Sequence, residues 1–189
     1  MSVNVVFHWL CWAWLIGETV IAVVMRTRKS GGTLYDRGSQ VLVWLSIAAA
    51  FVCADWVQSM APLSMFGDAD WLPPLALVVM VVGLTVRVVA IVTLGRAFSV
   101  NVAIRSEQKV QRGGLYRFVR HPSYLGMVLS LLSVGIYSRN WAVLAWMLLL
   151  PTAALIYRIH VEESALHQAF GEDYAAYSRV TKRLIPGVF

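Results

Sequence analysis

The chain has 189 residues, of which 59% are hydrophobic and 14% charged, with a formal net charge of +6. Soluble domains carry about 25% charged residues, so an ordinary soluble globule is excluded and a polytopic membrane protein is indicated. The positive charge then belongs to loops facing anionic headgroups, which removes the case for a nucleic-acid surface.

The first apolar run, Val3–Met25, is too long for a signal-peptide core and has no basic residue before it, so it is expected to be a retained helix. Within it His8 and Glu18 differ by ten residues, close to three turns, and are expected to share a face. Ionisable groups inside a membrane are candidates for function. The second run is Gln40–Met60. The third is Trp71–Gly95, with Pro73 and Pro74 in its first turn, where the missing N–H groups cost little. Arg87, two turns from the inner end of that helix, is expected to snorkel to the interface. The fourth run, Pro122–Ser138, is short. Gly126, Ser130, Ser133 and Gly135 make it narrow, which suits close helix packing. The fifth, Trp141–Ile159, follows after so few residues that it must run antiparallel to the fourth.

Arg26, Arg28, Lys29 and Arg37 occupy the first loop, and Arg96, Arg105, Lys109, Arg112, Arg117 and Arg120 the third. Arg179, Lys182 and Arg183 lie in the tail, whereas the second loop has only Asp68 and Asp70. The positive-inside rule therefore puts the N-terminus outside and the first loop, third loop and tail in the cytoplasm, consistent with five spans. After Ile159, Leu166, Phe170, Tyr174 and Tyr177 recur at spacings of three and four, predicting a cytoplasmic amphipathic helix interrupted near Gly171. Cys11 and Cys53 lie inside apolar runs and are expected to be packing residues. The fold class expected is all-α, one domain over residues 1–189.

Two polar clusters stand out. In "YRFVRHPSYLG", Tyr116 to Gly126, Pro122 suits the first turn of a helix, which puts His121 and Ser123 at its N-terminus and Tyr124 in its first turn. Free N–H groups there favour an anionic or lone-pair-rich ligand. The bland alternative makes Arg117 and Arg120 membrane anchors and Tyr124 part of an aromatic belt. In "YRIHVEE", Tyr157 to Glu163, Arg158 and Glu162 are at i and i+4 on one face, either a simple stabilising pair or part of a site. Because the fourth and fifth helices form a hairpin, the clusters are expected to frame one pocket. The spacing matches no metal motif, so no metal is expected.

The run "GGLYRFVRHPSYLG", then "RIHVEESALHQAFGEDYAAYSRV" and "RLIP", resembles the isoprenylcysteine carboxyl methyltransferase family, within a wider group that includes phospholipid methyltransferases. The resemblance covers roughly residues 94–186, while residues 1–70 carry no comparable signature. It implies methyl transfer from S-adenosylmethionine at the membrane surface, by in-line displacement, onto a lipophilic acceptor entering from the bilayer. Carried over by motif, Tyr116, His121, Pro122, Ser123, Tyr124 and Glu162 would line the cofactor pocket. Gln108, Lys109, Val110 and Gln111 would wrap the cofactor, and Asn101 stands where eukaryotic members have glutamine. Arg158 would meet the acceptor, a carboxylate in the prenylcysteine enzymes. Such an acceptor needs no general base at neutral pH, because its ordinary pKa is about 4. A phenol or thiol acceptor would call on His121 or Glu162 as base, and a phospholipid is a further alternative acceptor. Against this stand a noncatalytic module binding anionic lipid and a lipid-double-bond reductase using a nicotinamide cofactor.

Overall fold

The computed structural model describes residues 2–24, 33–34, 38–60, 69–98, 103–104 and 109–189. Helix α1 spans Val3–Val24, α2 Ser39–Val52, α3 Ala54–Met60 and α4 Leu72–Leu94. Helix α5 spans Pro122–Tyr137, α6 Trp141–Phe170 and α7 Glu172–Val180. One short antiparallel pair, β1 (Thr33–Leu34) with β2 (Ala103–Ile104), ties the segment after α1 to the segment after α4. The molecule is an integral membrane protein: α1, α4 and α6 are each long and apolar enough to cross a bilayer, and α2 with α3 would make a fourth span bent by 49°. The break in the second predicted span falls at Cys53. Helix α5, at 16 residues, is shorter than the roughly 20 needed to cross unaided.

Helices α4 and α5 pack closest. A Cβ added at Gly126 would lie 2.7 Å from both the Arg87 amide nitrogen and the Gly83 carbonyl oxygen, and one at Gly83 would lie 2.9 Å from the Gly126 carbonyl. Glycine at both positions lets the two backbones touch, which in a bilayer replaces the missing hydrophobic drive with dispersion contact. Gly135 does the same against Leu144 of α6. The α5–α6 turn is closed by Asn140, whose side chain accepts from the amides of Ala142 and Val143 at 2.9 and 3.2 Å.

Three expectations change here. The fifth helix does not stop at Ile159 but runs on as α6 to Phe170, because nothing between Ile159 and Phe170 breaks it; Gly171, with φ +52°, does. Arg87 does not snorkel: it is 7% exposed and turned into the protein against Glu18 of α1. His8 and Glu18 do not share a face, since ten residues at about 3.6 per turn leave them roughly 80° apart. Glu18 is buried, while His8 is exposed and bonds the Asn4 carbonyl.

Candidate functional site

The site lies where α4 ends, α5 begins and α6 runs toward its C-terminal end. The chain before α5 makes a 310 turn at Gly114–Arg117, and Tyr116 is buried there with its hydroxyl 3.3 Å from the Ala90 carbonyl. Residues 119–121 then run alongside the C-terminal tail: the Arg120 amide donates to the Lys182 carbonyl at 2.7 Å and the His121 amide to the Arg183 carbonyl at 3.0 Å. Helix α5 starts at Pro122, whose fixed φ and absent N–H suit that position.

Glu163 is the hub of this end. Its Oε1 accepts from Arg120 Nε at 2.7 Å and lies 3.3 Å from His121 Nε2, and its Oε2 accepts from Arg183 Nε at 2.9 Å. Arg120 also donates to the Ser178 and Thr181 carbonyls. One carboxylate thus ties α6, the segment entering α5 and the tail after α7. Sequence reasoning gives Glu163 no role, although the Glu162–Glu163 doublet is the visible signal: adjacent helical positions point about 100° apart, so one can hold the scaffold while the other faces the cavity.

Glu162 does face it. The Tyr124 hydroxyl donates to Glu162 Oε2 at 2.7 Å and accepts from Arg158 Nε at 2.8 Å. The expected i, i+4 relation of Arg158 and Glu162 therefore has the Tyr124 hydroxyl set between them. Arg158 also donates to the Ser39 hydroxyl of α2 at 2.9 Å. The His121 ring stacks on Tyr124, centroids 5.6 Å apart, with Nδ1 3.8 Å from Glu162.

These groups border a cavity of about 1230 Å³, its open mouth included. Its walls come from α1 (Glu18, Ile21), α2 (Val43, Trp44), α4 (Arg87, Leu94), the loop before α5, α6 (Leu155, Phe170) and α7. Of the candidate residues, Lys109, Val110, Gln111, Tyr116, His121, Ser123, Tyr124, Arg158 and Glu162 line it. Pro122 does not; it is fully buried, and its part is to start α5. Asn101 and Gln108 lie outside the described residues.

The wall formed by α1 and α4 holds a buried pair that sequence reasoning leaves unmatched. Arg87 Nε and Nη2 donate to Glu18 Oε1 and Oε2, each at 2.7 Å, and Nη1 donates to the Ser123 hydroxyl. Trp14 Nε1 donates to Glu18 at 3.3 Å. On the opposite side, the Tyr177 hydroxyl of α7 donates to the Tyr116 carbonyl at 2.6 Å, and Arg112 donates to the Asp173 carbonyl at 2.7 Å. Burial pushes the Tyr177 phenol up to about 12 and the Tyr116 phenol above its ordinary range, so both remain neutral donors at physiological pH.

Chemically the cavity has the Glu162 carboxylate beside the Tyr124 ring, a guanidinium within one hydroxyl of it (Arg158), and, toward α1 and α2, apolar side chains around the paired Glu18 and Arg87. That arrangement suits a ligand carrying a cation next to a second ligand carrying an anion on an apolar tail.

Comparison with known proteins gives the same direction. Residues 75–168 match the isoprenylcysteine carboxyl methyltransferase (ICMT) family. Over 126 residues the chain is 30% identical to the Arabidopsis thaliana proteins named protein-S-isoprenylcysteine O-methyltransferase B and A, covering 62% of this chain and 61% of each relative. It is 25% identical over 185 residues to an Oryza sativa subsp. indica protein named probable protein-S-isoprenylcysteine O-methyltransferase, covering 92% of this chain and 95% of that one. The chain thus spans less than two thirds of the length of the Arabidopsis relatives.

Proposed function

We propose, since the chain belongs to the isoprenylcysteine carboxyl methyltransferase family, that it is an S-adenosylmethionine-dependent methyltransferase of the membrane, acting on the carboxylate of a lipophilic, isoprenylcysteine-type acceptor. The observation that carries this is the Arg158–Tyr124–Glu162 relay on the wall of a single cavity.

The residues present fit the methyl donor. The cavity has the character of a small-molecule site, with mostly apolar walls and a few convergent polar groups. The Glu162 carboxylate and the Tyr124 ring offer a cation the two surroundings it favours. Lys109, Gln111, Tyr116, His121 and Ser123 supply the polar rim, and Asn101, Gln108 and Val110 complete the expected set. When bound, S-adenosylmethionine supplies a methyl group already activated for in-line displacement.

The protein's task is then alignment. Arg158 is held by Ser39 and Tyr124, and its guanidinium orients the acceptor carboxylate. The Tyr124 hydroxyl keeps Glu162 apart from Arg158, so the anion that balances a cationic donor is not spent on the arginine. The walls from α1 and α2 take the apolar tail from the bilayer side. A carboxylate acceptor requires no proton removal at neutral pH, and His121, engaged by Glu163, then serves to shape the wall. The region from 94 to 186 does this work within a single domain. We place the N-terminus outside and the cavity mouth and tail in the cytoplasm, with five spans counting α2–α3 as one and α5 as a short one.

The test is titration of the detergent-purified chain with S-adenosylmethionine. It is followed by incubation with radiolabelled donor and either a farnesylated cysteine with a free carboxylate or total membrane lipid. Saturable binding and a base-labile methyl ester on the cysteine are expected. Label in a phenolic lipid, phospholipid or thiol would move the acceptor class, and absence of both binding and transfer would overturn the proposal.

A further inference from the structure

Among the described residues three buried side-chain polar atoms have no hydrogen-bond partner: Trp146 Nε1, Thr152 Oγ1 and the Tyr174 hydroxyl. An orphaned polar atom inside a protein is costly and calls for a reason. Trp146 and Thr152 belong to the apolar part of α6 and do not line the cavity. Tyr174 is different, because it is 2% exposed and lines the cavity. Its ring is fixed edge-on to His167, centroids 4.8 Å apart, and to Tyr177, 5.9 Å apart. The hydroxyl lies within the fields of Glu162, Glu163 and Arg120. Those two carboxylates are engaged with Tyr124 and with the Arg120–Arg183–His121 cluster. A residue of the wall therefore carries a buried donor, its ring packed edge-on against two others, with no acceptor among the described residues.

We propose that the Tyr174 hydroxyl donates a hydrogen bond to the methyl donor when it occupies the cavity, making α7 part of the donor site; this rests on the proposed use of S-adenosylmethionine. An atom left orphaned in the empty protein and satisfied in the loaded one separates affinity from stability. Its removal should weaken binding while leaving the ligand-free fold as stable as before, or more so.

The experiment uses the full chain in detergent, with calorimetric titration of S-adenosylmethionine and of its demethylated product S-adenosylhomocysteine, and thermal unfolding without ligand. For Tyr174→Phe we expect Kd for both ligands to rise about tenfold, the worth of one buried hydrogen bond, with ligand-free Tm equal to or above wild type. Trp146→Phe, which removes an orphan that does not line the cavity, should leave both Kd values unchanged. A Tyr174→Phe Kd within twofold of wild type would mean that the hydroxyl bonds only water, and would overturn the inference. So would a clear loss of ligand-free Tm, which would mean a partner within the chain. If the wild type binds neither ligand, the proposed use of S-adenosylmethionine falls, and this inference with it.

Discussion

Arg87 of α4 and Glu18 of α1 form a two-pronged ion pair, both contacts 2.7 Å, with each side chain less than a tenth exposed. The pair lies several residues inside the ends of both helices, at the level of apolar neighbours, and Arg87 reaches on to Ser123 of α5. It therefore fixes three helices at the cavity wall. Buried pairs add little net stability because desolvation offsets the attraction, but breaking one strands a charge. Glu18→Ala should destabilise the protein by about 3–5 kcal/mol, read as a large fall in Tm in detergent. Glu18→Leu combined with Arg87→Met should recover most of that loss. A double variant as unstable as the single one would show that the pair does more than balance its own charges.

The hub at Glu163 gives a second expectation. Glu163→Gln removes the charge that Arg120 and Arg183 share, and hydrogen bonds to charged groups are worth about 1.5–3 kcal/mol each. The tail should detach from residues 119–121 before the helices unfold. Limited trypsin digestion should then cut after Lys182 and Arg183 several times faster than in wild type, with little change in helical circular dichroism. Unchanged cleavage would assign the tail's attachment to the backbone bonds of Arg120 and His121 alone.

What the sequence makes legible follows a physical division. Helix existence, the antiparallel α5–α6 hairpin and the gathering of His121, Tyr124, Arg158 and Glu162 at one end follow from apolar run length and the few residues between two runs. Contacts made across long separations do not. The Glu18–Arg87 pair joins residues 69 apart, and neither side chain carries a local sign of its partner; snorkelling is the cheaper fate for a lone arginine, and only a matching acid on a neighbouring helix reverses it. The end of α6 is similarly hidden, because the fall in hydropathy after Ile159 separates two boundaries, the end of the apolar run and the end of the helix. Gly171 marks the latter.

The α4–α5 crossing yields a steric prediction. A methyl group at Gly126 has no room, with backbone atoms of α4 at 2.7 Å. Gly126→Ala must push the two helices apart and disturb Arg87 and Ser123 together. A loss of about 1–3 kcal/mol is expected, the usual cost of overpacking. Gly113→Ala is the control: its φ is −91° and an added Cβ would meet only the end of the Gln111 side chain, at 4.0 Å. Comparable Tm losses for the two variants would refute the close crossing.

Arg158 offers the sharpest test of how roles are divided within the cavity. It touches Tyr124 and Ser39, whereas Glu162 is joined to it through the Tyr124 hydroxyl. Arg158→Ala leaves the Tyr124–Glu162 bond in place, so Kd for S-adenosylmethionine should stay within about twofold of wild type. Transfer to a carboxylate acceptor should fall by about 10- to 100-fold in kcat/KM, the worth of a charge-assisted hydrogen bond. Arg158→Lys should recover only part, since an ammonium cannot hold Ser39, Tyr124 and a carboxylate with one planar fork. Because Tyr124 is shared, Tyr124→Phe should differ from both: it frees Glu162 and Arg158 to pair directly, spending the carboxylate on the arginine and weakening donor binding and acceptor turnover together. Equal losses of donor affinity in Arg158→Ala and Tyr124→Phe would collapse the distinction between the two sides of the relay.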